Sequence, residues 1–205
     1  MKYVIFDFDG TLADSMPVMI EIANGLLAKD ISKQDVERYR NMTIKQILKE
    51  ANIPLYKVPG LLVKGKPLLQ KRMHEVEIFS GLDNVINDLA KSGHKLYVVS
   101  SNSAGIINGF LDTYKLKKRF TRIYGNIGIF SKAQALKKVM KREGFYPSQA
   151  IYIGDEVRDI EAAKKVGMPI ISVTWGYNGK KLLTSYKPDY MADKPVEITK
   201  IVNEQ

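Results

Sequence analysis

Four short runs of almost wholly apolar residues constrain the fold of this 205-residue chain more than any other feature of its sequence. Each run is rich in β-branched or aromatic residues and shows no alternation with polar positions, which is typical of strands covered on both faces. The runs are YVIF (3–6), LYVV (96–99), AIYI (150–153) and PIISV (169–173), and two weaker candidates are TRIY (121–124) and DYM (189–191).

Helical patterns separate these runs from residue 81 onward. Gly93, Gly144 and Gly167 each follow such a pattern, as expected where a helix ends. One pattern opens with Ser131 and Gln134 at capping-box spacing. Strand and helix therefore alternate, which predicts an α/β fold: a Rossmann-like parallel sheet with helices on both faces. The predicted helices cover 82–92, 103–114, 131–143 and 157–166.

The interval from residue 15 to residue 80 breaks this alternation. It contains no convincing strand, its apolar residues recur at helical spacing, and prolines and glycines divide its second half into short pieces. We therefore predict a small α-helical insert of residues 15–80 after the first strand. Residues 1–14 and 81–205 would form the α/β core.

The composition excludes several classes of protein. The chain has no cysteine, so it forms neither a disulfide nor a thiolate zinc site, and no apolar run approaches the length of a membrane span. A cytoplasmic location is the expectation. The net charge is +10, and ten basic but no acidic residues lie between Thr113 and Arg142. This stretch is either a solvated face or a positive field for an anionic substrate or nucleic acid. Since no nucleic-acid-binding motif accompanies it, nucleic acid is the less favoured partner.

Polar residues follow the apolar runs, at the edge where the carboxyl ends of parallel strands meet and where ligands bind in open α/β sheets. Carboxylates fit Mg²⁺, hydroxyls at a helix N-terminus fit phosphate oxygens, and a lysine adds positive charge. Asp7 and Asp9 would share one strand face, so that one could attack phosphorus and the other act as general acid. The set is Asp7, Asp9, Ser100, Ser101, Asn102, Lys132, Asp155 and Asp159.

These residues stand in ordered motifs that resemble those of the haloacid dehalogenase superfamily, and more narrowly its phosphoglycolate-phosphatase-like branch. The motifs are DFDGTLADS, VVSSNS, Lys132 and IGDEVRDIEAAKKVG, followed by SVTWGYN. The resemblance implies Mg²⁺-dependent hydrolysis of a small phosphorylated metabolite through an aspartyl-phosphate. It also implies that the insert is a helical cap.

The resemblance implies a role for each matching position. Asp7 would be the nucleophile and a Mg²⁺ ligand. Asp9 would be the general acid and base and would bind the metal through its backbone carbonyl. Asp155 would be the remaining direct metal ligand, whereas Asp159 would support the metal's water shell or hold Lys132. Ser100 and Lys132 would act on the transferring phosphoryl group. The implied phosphate-binding residues are Gly10, Ser100, Ser101, Asn102 and Lys132.

The cap would read the leaving group of the substrate. Arg40, Asn41 and Thr43, in the turn between two predicted helices, are the candidates for substrate specificity, and Lys64 and Lys66 are weaker ones. Under this interpretation, Arg40→Ala should weaken activity on the true substrate more than on a generic aryl phosphate.

Several alternatives remain open at this point. A phosphomutase of the β-phosphoglucomutase type uses the same motifs but returns the phosphoryl group to a sugar. A non-catalytic module that binds nucleic acid through the basic stretch is disfavoured by the intact set of carboxylates. Lys137 and Lys138 are alternatives to Lys132 at the third motif.

Overall fold

A six-stranded parallel sheet forms the centre of the protein, which a computed structural model describes over residues 1–128 and 131–204. The described strands are β1 (Tyr3–Phe6), β2 (Ala13–Asp14), β3 (Glu77–Ile78), β4 (Lys95–Val99), β5 (Phe120–Tyr124), β6 (Ala150–Gly154), β7 (Ile170–Val173) and β8 (Tyr190–Ala192). The strand order across the large sheet is β5-β4-β1-β6-β7-β8. The predicted α/β fold with a parallel sheet is confirmed.

Helices cover both faces of this sheet. Helices α5, α6 and α10 pack on one face, and α7, α8 and α9 pack on the other. The described helices are α1 (Met16–Leu27), α2 (Lys33–Arg40), α3 (Ile44–Glu50), α4 (Val58–Lys71), α5 (Leu82–Lys91), α6 (Ala104–Thr113), α7 (Lys132–Glu143), α8 (Val157–Val166), α9 (Lys180–Ser185) and α10 (Pro195–Glu204).

Strand β1 explains why the apolar runs do not alternate with polar residues. Val4 and Phe6 point into the core on one face of the sheet, whereas Ile5 points into the core on the other. All three side chains are fully buried. A strand in the middle of a doubly covered sheet therefore needs apolar residues at every position.

The helices α1–α4 lie between β2 and β3, and these two short strands pair antiparallel. The pair brings the two ends of the insert together, with Ala13 opposite Ile78 and Asp14 opposite Glu77. Strand β3 could not be predicted, because a strand of two residues shows no periodicity. The boundaries of the insert, between residues 14 and 15 and between residues 80 and 81, stay a prediction. Residues 129, 130 and 205 of the predicted core lie outside the described residues.

The start of α7 differs from its prediction. Ser131 precedes the helix, but its hydroxyl donates to the Gly128 carbonyl at 2.7 Å and makes no cap hydrogen bond. The predicted capping box with Gln134 is therefore wrong, because the preceding turn uses the hydroxyl. None of the helices within the described residues has the length and apolar character that a membrane span requires.

Candidate active site

The carboxyl ends of three neighbouring strands bring the predicted site residues to one edge of the sheet. Asp7 follows β1, Ser100 follows β4, and Asp155 follows β6. Strand β1 lies between the other two, so the three residues converge although they are far apart in sequence. Carboxylate oxygens of Asp7, Asp155 and Asp159 lie within 4.8 Å of one another.

The Asp7 carboxylate is buried and held at both oxygens. Oδ1 accepts the backbone N–H of Phe8 at 2.7 Å, and Oδ2 accepts a hydrogen bond from Nζ of Lys132 at 2.5 Å. Burial raises the pKa of Asp7, and the opposing effect of Lys132 does not fully offset it. The ionised carboxylate therefore needs more positive charge than this lysine provides.

Lys132 connects Asp7 to Asp159 with a single buried ammonium group, which contacts both carboxylates. Burial lowers the pKa of Lys132, but the charges of Asp159 and Asp7 outweigh burial, so its pKa is raised and the side chain stays charged. Lys137 and Lys138 lie on the exposed side of α7. Of the three candidate lysines, Lys132 is the one that reaches the carboxylates.

Asp159 is fully engaged by its neighbours. One oxygen contacts Lys132, and the other accepts the backbone N–H groups of Asp155 and Glu156 at 3.1 and 3.0 Å. These bonds fix the turn at the start of α8. The geometry suits a residue that holds Lys132 and the Asp155 backbone.

The Asp155 carboxylate is also fully buried. Its Oδ1 accepts the hydroxyl of Thr11 at 2.7 Å, and its Oδ2 accepts the backbone N–H of Tyr177 at 2.8 Å. Burial raises the pKa of Asp155 well above the ordinary value, and the charges of Glu156 and Asp159 raise it further. A bound cation would relieve this cost of ionisation.

The site could hold a divalent metal ion. Five carboxylates meet the positive charges of Lys132 and Arg158, so negative charge is in excess. The oxygen donors are hard ligands of the kind that Mg²⁺ prefers. The five carboxylates belong to Asp7, Asp9, Asp155, Glu156 and Asp159. Asp7 and Asp155 each accept two hydrogen bonds, whereas Asp159 accepts one from Lys132 and two from backbone N–H groups. Asp7 and Asp155 therefore keep more acceptor capacity for a metal ion.

Asp9 has the properties of a group that exchanges a proton. Its Oδ2 lies 3.4 Å from the side-chain amide of Asn102, and its buried Oδ1 has no hydrogen-bond partner within the described part of the chain. Burial, followed by the charge of Asp7, raises the pKa of Asp9 to about 6. A carboxyl group with such a pKa can donate and accept a proton near neutral pH.

The loop after β4 leads into the N-terminus of α6. The Ser100 hydroxyl accepts the backbone N–H of Asn102 at 3.1 Å, and Ser103 caps the helix by accepting the N–H of Ile106. Ser100 and Asn102 are buried, while Ser101 is half-buried. This loop and the N-terminus of α6 thus follow the carboxyl end of β4, the strand beside β1, which leads to Asp7.

Gly10 lies in the turn that follows Asp9. Its φ of +76° is in the left-handed region, and a Cβ there would overlap the Asp155 carboxylate and the Tyr177 ring. Its backbone N–H donates to the Ala13 carbonyl at 2.9 Å. The turn therefore requires a glycine at position 10 for steric reasons, and the Gly10 N–H is already used in a hydrogen bond within the turn.

A comparison with protein families decides the classification. The family model described as haloacid dehalogenase-like hydrolase matches residues 4–173. This chain is a haloacid dehalogenase-like hydrolase. The predicted resemblance is confirmed.

Similar proteins cover this haloacid dehalogenase-like hydrolase from end to end. A phosphoglycolate phosphatase of Synechococcus elongatus is 32% identical over 100% of this chain and 98% of its own length. A predicted phosphatase from Clostridium acetobutylicum superimposes with a TM-score of 0.82 and 22% sequence identity, over 100% of this chain and 99% of its own. A haloacid dehalogenase-like family hydrolase from Streptococcus pneumoniae superimposes with a TM-score of 0.81 and 20% sequence identity, over 98% of this chain and 98% of its own. The structural likenesses show the fold, and the predicted phosphoric monoester hydrolase is confirmed at the level of the enzyme class.

The insert of this haloacid dehalogenase-like hydrolase touches the site at two places. Arg40 donates from Nη2 to the Thr174 carbonyl at 2.7 Å and from Nε to the Gly176 carbonyl at 3.1 Å. Lys66 donates to the Ser101 carbonyl at 3.2 Å. The insert therefore lies against the loop after β7 and against the loop after β4.

The other two specificity candidates serve the local structure of the insert. Asn41 donates from its side chain to the Glu37 carbonyl at 3.0 Å. Thr43 forms a reciprocal capping box with Gln46 at the start of α3. These contacts hold the turn between α2 and α3 in shape, and neither reaches a carboxylate of the site.

Sequence reasoning missed three residues that shape the site. Thr11 and Tyr177 both hydrogen-bond to Asp155, and Arg158 supplies positive charge near Asp7. Thr11 and Tyr177 lie within quoted motifs, and Arg158 lies between Asp155 and Asp159. A search for every polar residue within one turn of a strand end would have included Thr11 and Arg158.

Proposed function

We propose that this protein is a Mg²⁺-dependent phosphatase that hydrolyses a small phosphorylated metabolite through an aspartyl-phosphate on Asp7. One observation carries the proposal: the buried Asp7 carboxylate lies 2.5 Å from the Lys132 ammonium, at the strand edge shared with Asp9 and Asp155. Nucleophile, counter-charge and proton-transfer group are then within one site.

In the proposed first step, an Asp7 oxygen attacks phosphorus and the bond from phosphorus to the leaving oxygen breaks. Asp9 donates its proton to that oxygen, so the alcohol leaves uncharged. In the second step Asp9 takes a proton from water, which attacks phosphorus. The bond between phosphorus and Asp7 breaks, which releases inorganic phosphate and restores both carboxyl groups.

The surrounding residues would stabilise charge during both steps. Mg²⁺ held by Asp7, Asp155 and the Asp9 backbone carbonyl would neutralise negative charge on the phosphoryl oxygens. Lys132 would orient Asp7 and balance its charge. Ser100, with the N-terminus of α6, would donate hydrogen bonds to the remaining phosphoryl oxygens.

Phosphoglycolate is our proposed substrate. The support is the full-length similarity to a phosphoglycolate phosphatase, at 32% identity. Lys66 gives independent support, because its ammonium lies over the loop after β4, 3.2 Å from the Ser101 carbonyl. A positive charge at the mouth of a phosphate site suits a leaving group that carries a carboxylate.

Lys66→Met tests this substrate assignment. We expect kcat/KM for phosphoglycolate to fall about tenfold, because a charge-assisted hydrogen bond contributes roughly 1.5 kcal/mol. We expect kcat/KM for p-nitrophenyl phosphate, which lacks the carboxylate, to stay within about twofold of wild type. Lys71→Met is the matched control, since Lys71 is an exposed lysine at the end of the same helix. Equal losses on both substrates would contradict the assignment.

Phosphate release tests the reaction class. We expect wild-type protein to release inorganic phosphate from p-nitrophenyl phosphate and from phosphoglycolate with Mg²⁺, and to stop when EDTA is added. Transfer of the phosphoryl group to a sugar, with no phosphate released to water, would favour the phosphomutase instead. No release from any phosphomonoester would contradict the proposal.

Thermal unfolding tests the metal site without activity. The pKa values of Asp7, Asp9 and Asp155 are raised in the metal-free fold. The native state therefore holds protons that the unfolded chain has lost, and the metal-free protein loses stability as the pH rises from about 4 through 6. Mg²⁺ must compete with those protons, so its stabilising effect grows with pH.

We expect Mg²⁺ at about 100 times its dissociation constant to add roughly 2.7 kcal/mol, which is about 5–10 °C in Tm at pH 7.5. The increase should be smaller at pH 5. Asp155→Asn should remove most of it, whereas Asp88→Asn, which changes an exposed carboxylate on α5, should keep it. A shift that is independent of pH and of Asp155 would contradict this metal site.

A further inference from the structure

We propose that Arg40 is a positioning residue that clamps the insert onto residues 174–179, the loop after β7, and thereby holds Asp155 in its orientation. This inference rests on the proposed function for the role of Asp155 as a metal ligand. Its first part, the clamp, concerns contacts between two segments of the chain and does not depend on the reaction.

Arg40 makes three hydrogen bonds to the 174–179 loop. The planar guanidinium donates to two carbonyls, those of Thr174 at 2.7 Å and Gly176 at 3.1 Å. The Arg40 carbonyl accepts the backbone N–H of Gly179 at 2.6 Å. The arginine side chain is 22% exposed, so this contact is mostly shielded from water. Because the guanidinium is rigid and planar, its two hydrogen bonds fix both the distance and the angle between helix α2 and the 174–179 loop.

The same loop contacts Asp155 through its other side. The Tyr177 N–H donates to Asp155 Oδ2 at 2.8 Å, and the Asn178 N–H donates to the Asp155 carbonyl at 3.3 Å. Gly176 packs so tightly that a Cβ there would overlap the Gly10 carbonyl and the Asp155 carboxylate. A shift of the loop would therefore change how Asp155 is held.

The loop is also tied to the segment that carries the nucleophile. The Tyr177 hydroxyl lies 2.9 Å from the hydroxyl of Ser15, at the start of α1. The indole N–H of Trp175 donates to the Thr11 carbonyl at 3.2 Å. One short loop thus touches the insert at Arg40, the turn after β1 and the Asp155 carboxylate, which makes it the physical connection between insert docking and the site.

This role differs in its consequences from substrate reading, the role predicted from the sequence. The Arg40 guanidinium is held by groups of the protein itself: Nε and Nη2 donate to backbone carbonyls, and Nη1 lies 3.5 Å from Oε2 of Glu37. Its loss should therefore reduce activity on every phosphomonoester by the same factor. It should also weaken Mg²⁺ binding, because Asp155 loses its fixed orientation.

The test compares Arg40→Met with Arg38→Met, a change to an exposed arginine of the same helix that pairs with Asp35 and Glu50. We expect Arg40→Met to raise the Mg²⁺ dissociation constant, measured by isothermal titration calorimetry, about tenfold, within the usual range for an outer-shell partner of a metal ligand. Hydrogen exchange at 174–179 should become faster in the metal-free protein. Arg38→Met should change neither quantity.

Gly179→Ala tests the clamp from the core side. A Cβ at Gly179 would lie 2.8–3.2 Å from the side-chain amide of Asn41, so this amide has to move, which disturbs the contact between the insert and the loop while leaving the Arg40 side chain in place. We expect the same direction of change in Mg²⁺ affinity and hydrogen exchange. Circular dichroism will show whether each variant is folded.

Activity gives the decisive contrast. We expect Arg40→Met to lower kcat/KM for phosphoglycolate and for p-nitrophenyl phosphate by the same factor. A loss confined to phosphoglycolate, with Mg²⁺ affinity unchanged, would overturn the clamp and restore the substrate-reading role. Unchanged exchange at 174–179 would overturn it as well. If the wild type hydrolyses no phosphomonoester, the proposed function fails, while calorimetry and hydrogen exchange still test the clamp.

Discussion

Asp7→Asn is expected to lower kcat for phosphate release by at least about 10³-fold, because an amide cannot form the aspartyl-phosphate and removing a nucleophile has effects of this size or larger. The fold should persist, since Lys132 keeps its ion pair with Asp159 and the substitution removes a carboxylate whose pKa burial has raised. Steady-state kinetics with p-nitrophenyl phosphate and phosphoglycolate, together with thermal unfolding, measure both quantities.

Asp88→Asn is the control, because it removes the same charge from an exposed position on α5. It should retain wild-type kcat. A value of kcat for Asp7→Asn within about tenfold of wild type would show that Asp7 is not the nucleophile.

Lys132→Met is expected to lower the free energy of unfolding of the metal-free protein by about 3–5 kcal/mol, the usual cost of removing one partner of a buried ion pair. For a chain of this length the Tm should fall by on the order of 10 °C. The reason is that Asp7 and Asp159 lose the ammonium group that contacts both of them. Differential scanning calorimetry in the presence of EDTA measures the change.

Two comparisons show whether the effect comes from the stranded carboxylates. The double variant Lys132→Met/Asp159→Asn should recover part of the lost stability. The deficit of Lys132→Met should shrink at pH 5, because burial raises the pKa of Asp7 and this carboxylate takes up a proton more readily there. Lys138→Met, at an exposed position on the same helix, should leave Tm unchanged. A deficit as large at pH 5 as at pH 7.5, with no recovery in the double variant, would point to lost packing.

The sheet could be predicted because burial on both faces leaves a direct mark on the sequence. In β1 every position is apolar, as in β6, and in the other neighbouring strand, β4, every position after Lys95 is apolar. The pair β2–β3 left no such mark, since two residues per strand are too few for a period to appear. The capping box at Ser131 failed for a related reason: the competing acceptor, the Gly128 carbonyl, is set by the turn and not by the spacing.

Much of the site could also be predicted, because strand ends of a parallel sheet converge. The choice among the three candidate lysines of α7 needed one further step. Ala133, Leu136 and Val139 face the core, so Lys137 and Lys138 are turned away from it, whereas Lys132 at the helix start reaches Asp7. The 3.6-residue period of the apolar positions in this helix would therefore have selected Lys132 from the sequence alone.

The contacts of the insert could not be predicted in this way. Arg40 bonds to carbonyls 134 and 136 residues away, and the acceptors are backbone atoms that carry no side-chain signature. Tyr177 similarly acts on Asp155 through its N–H group. Such contacts depend on how the insert packs against the core, which local sequence does not encode.

The most direct test of the aspartyl-phosphate is a rapid-mixing measurement with Asp9→Asn and p-nitrophenyl phosphate. The p-nitrophenolate anion leaves without a proton, so the first step survives the loss of Asp9, whereas the attack of water loses its base. We predict a burst of about one p-nitrophenolate per active site, slow turnover afterwards, and a phosphoryl group on the peptide that contains Asp7. Absence of a burst in the folded, Mg²⁺-loaded variant, or a phosphoryl group on another residue, would contradict the mechanism.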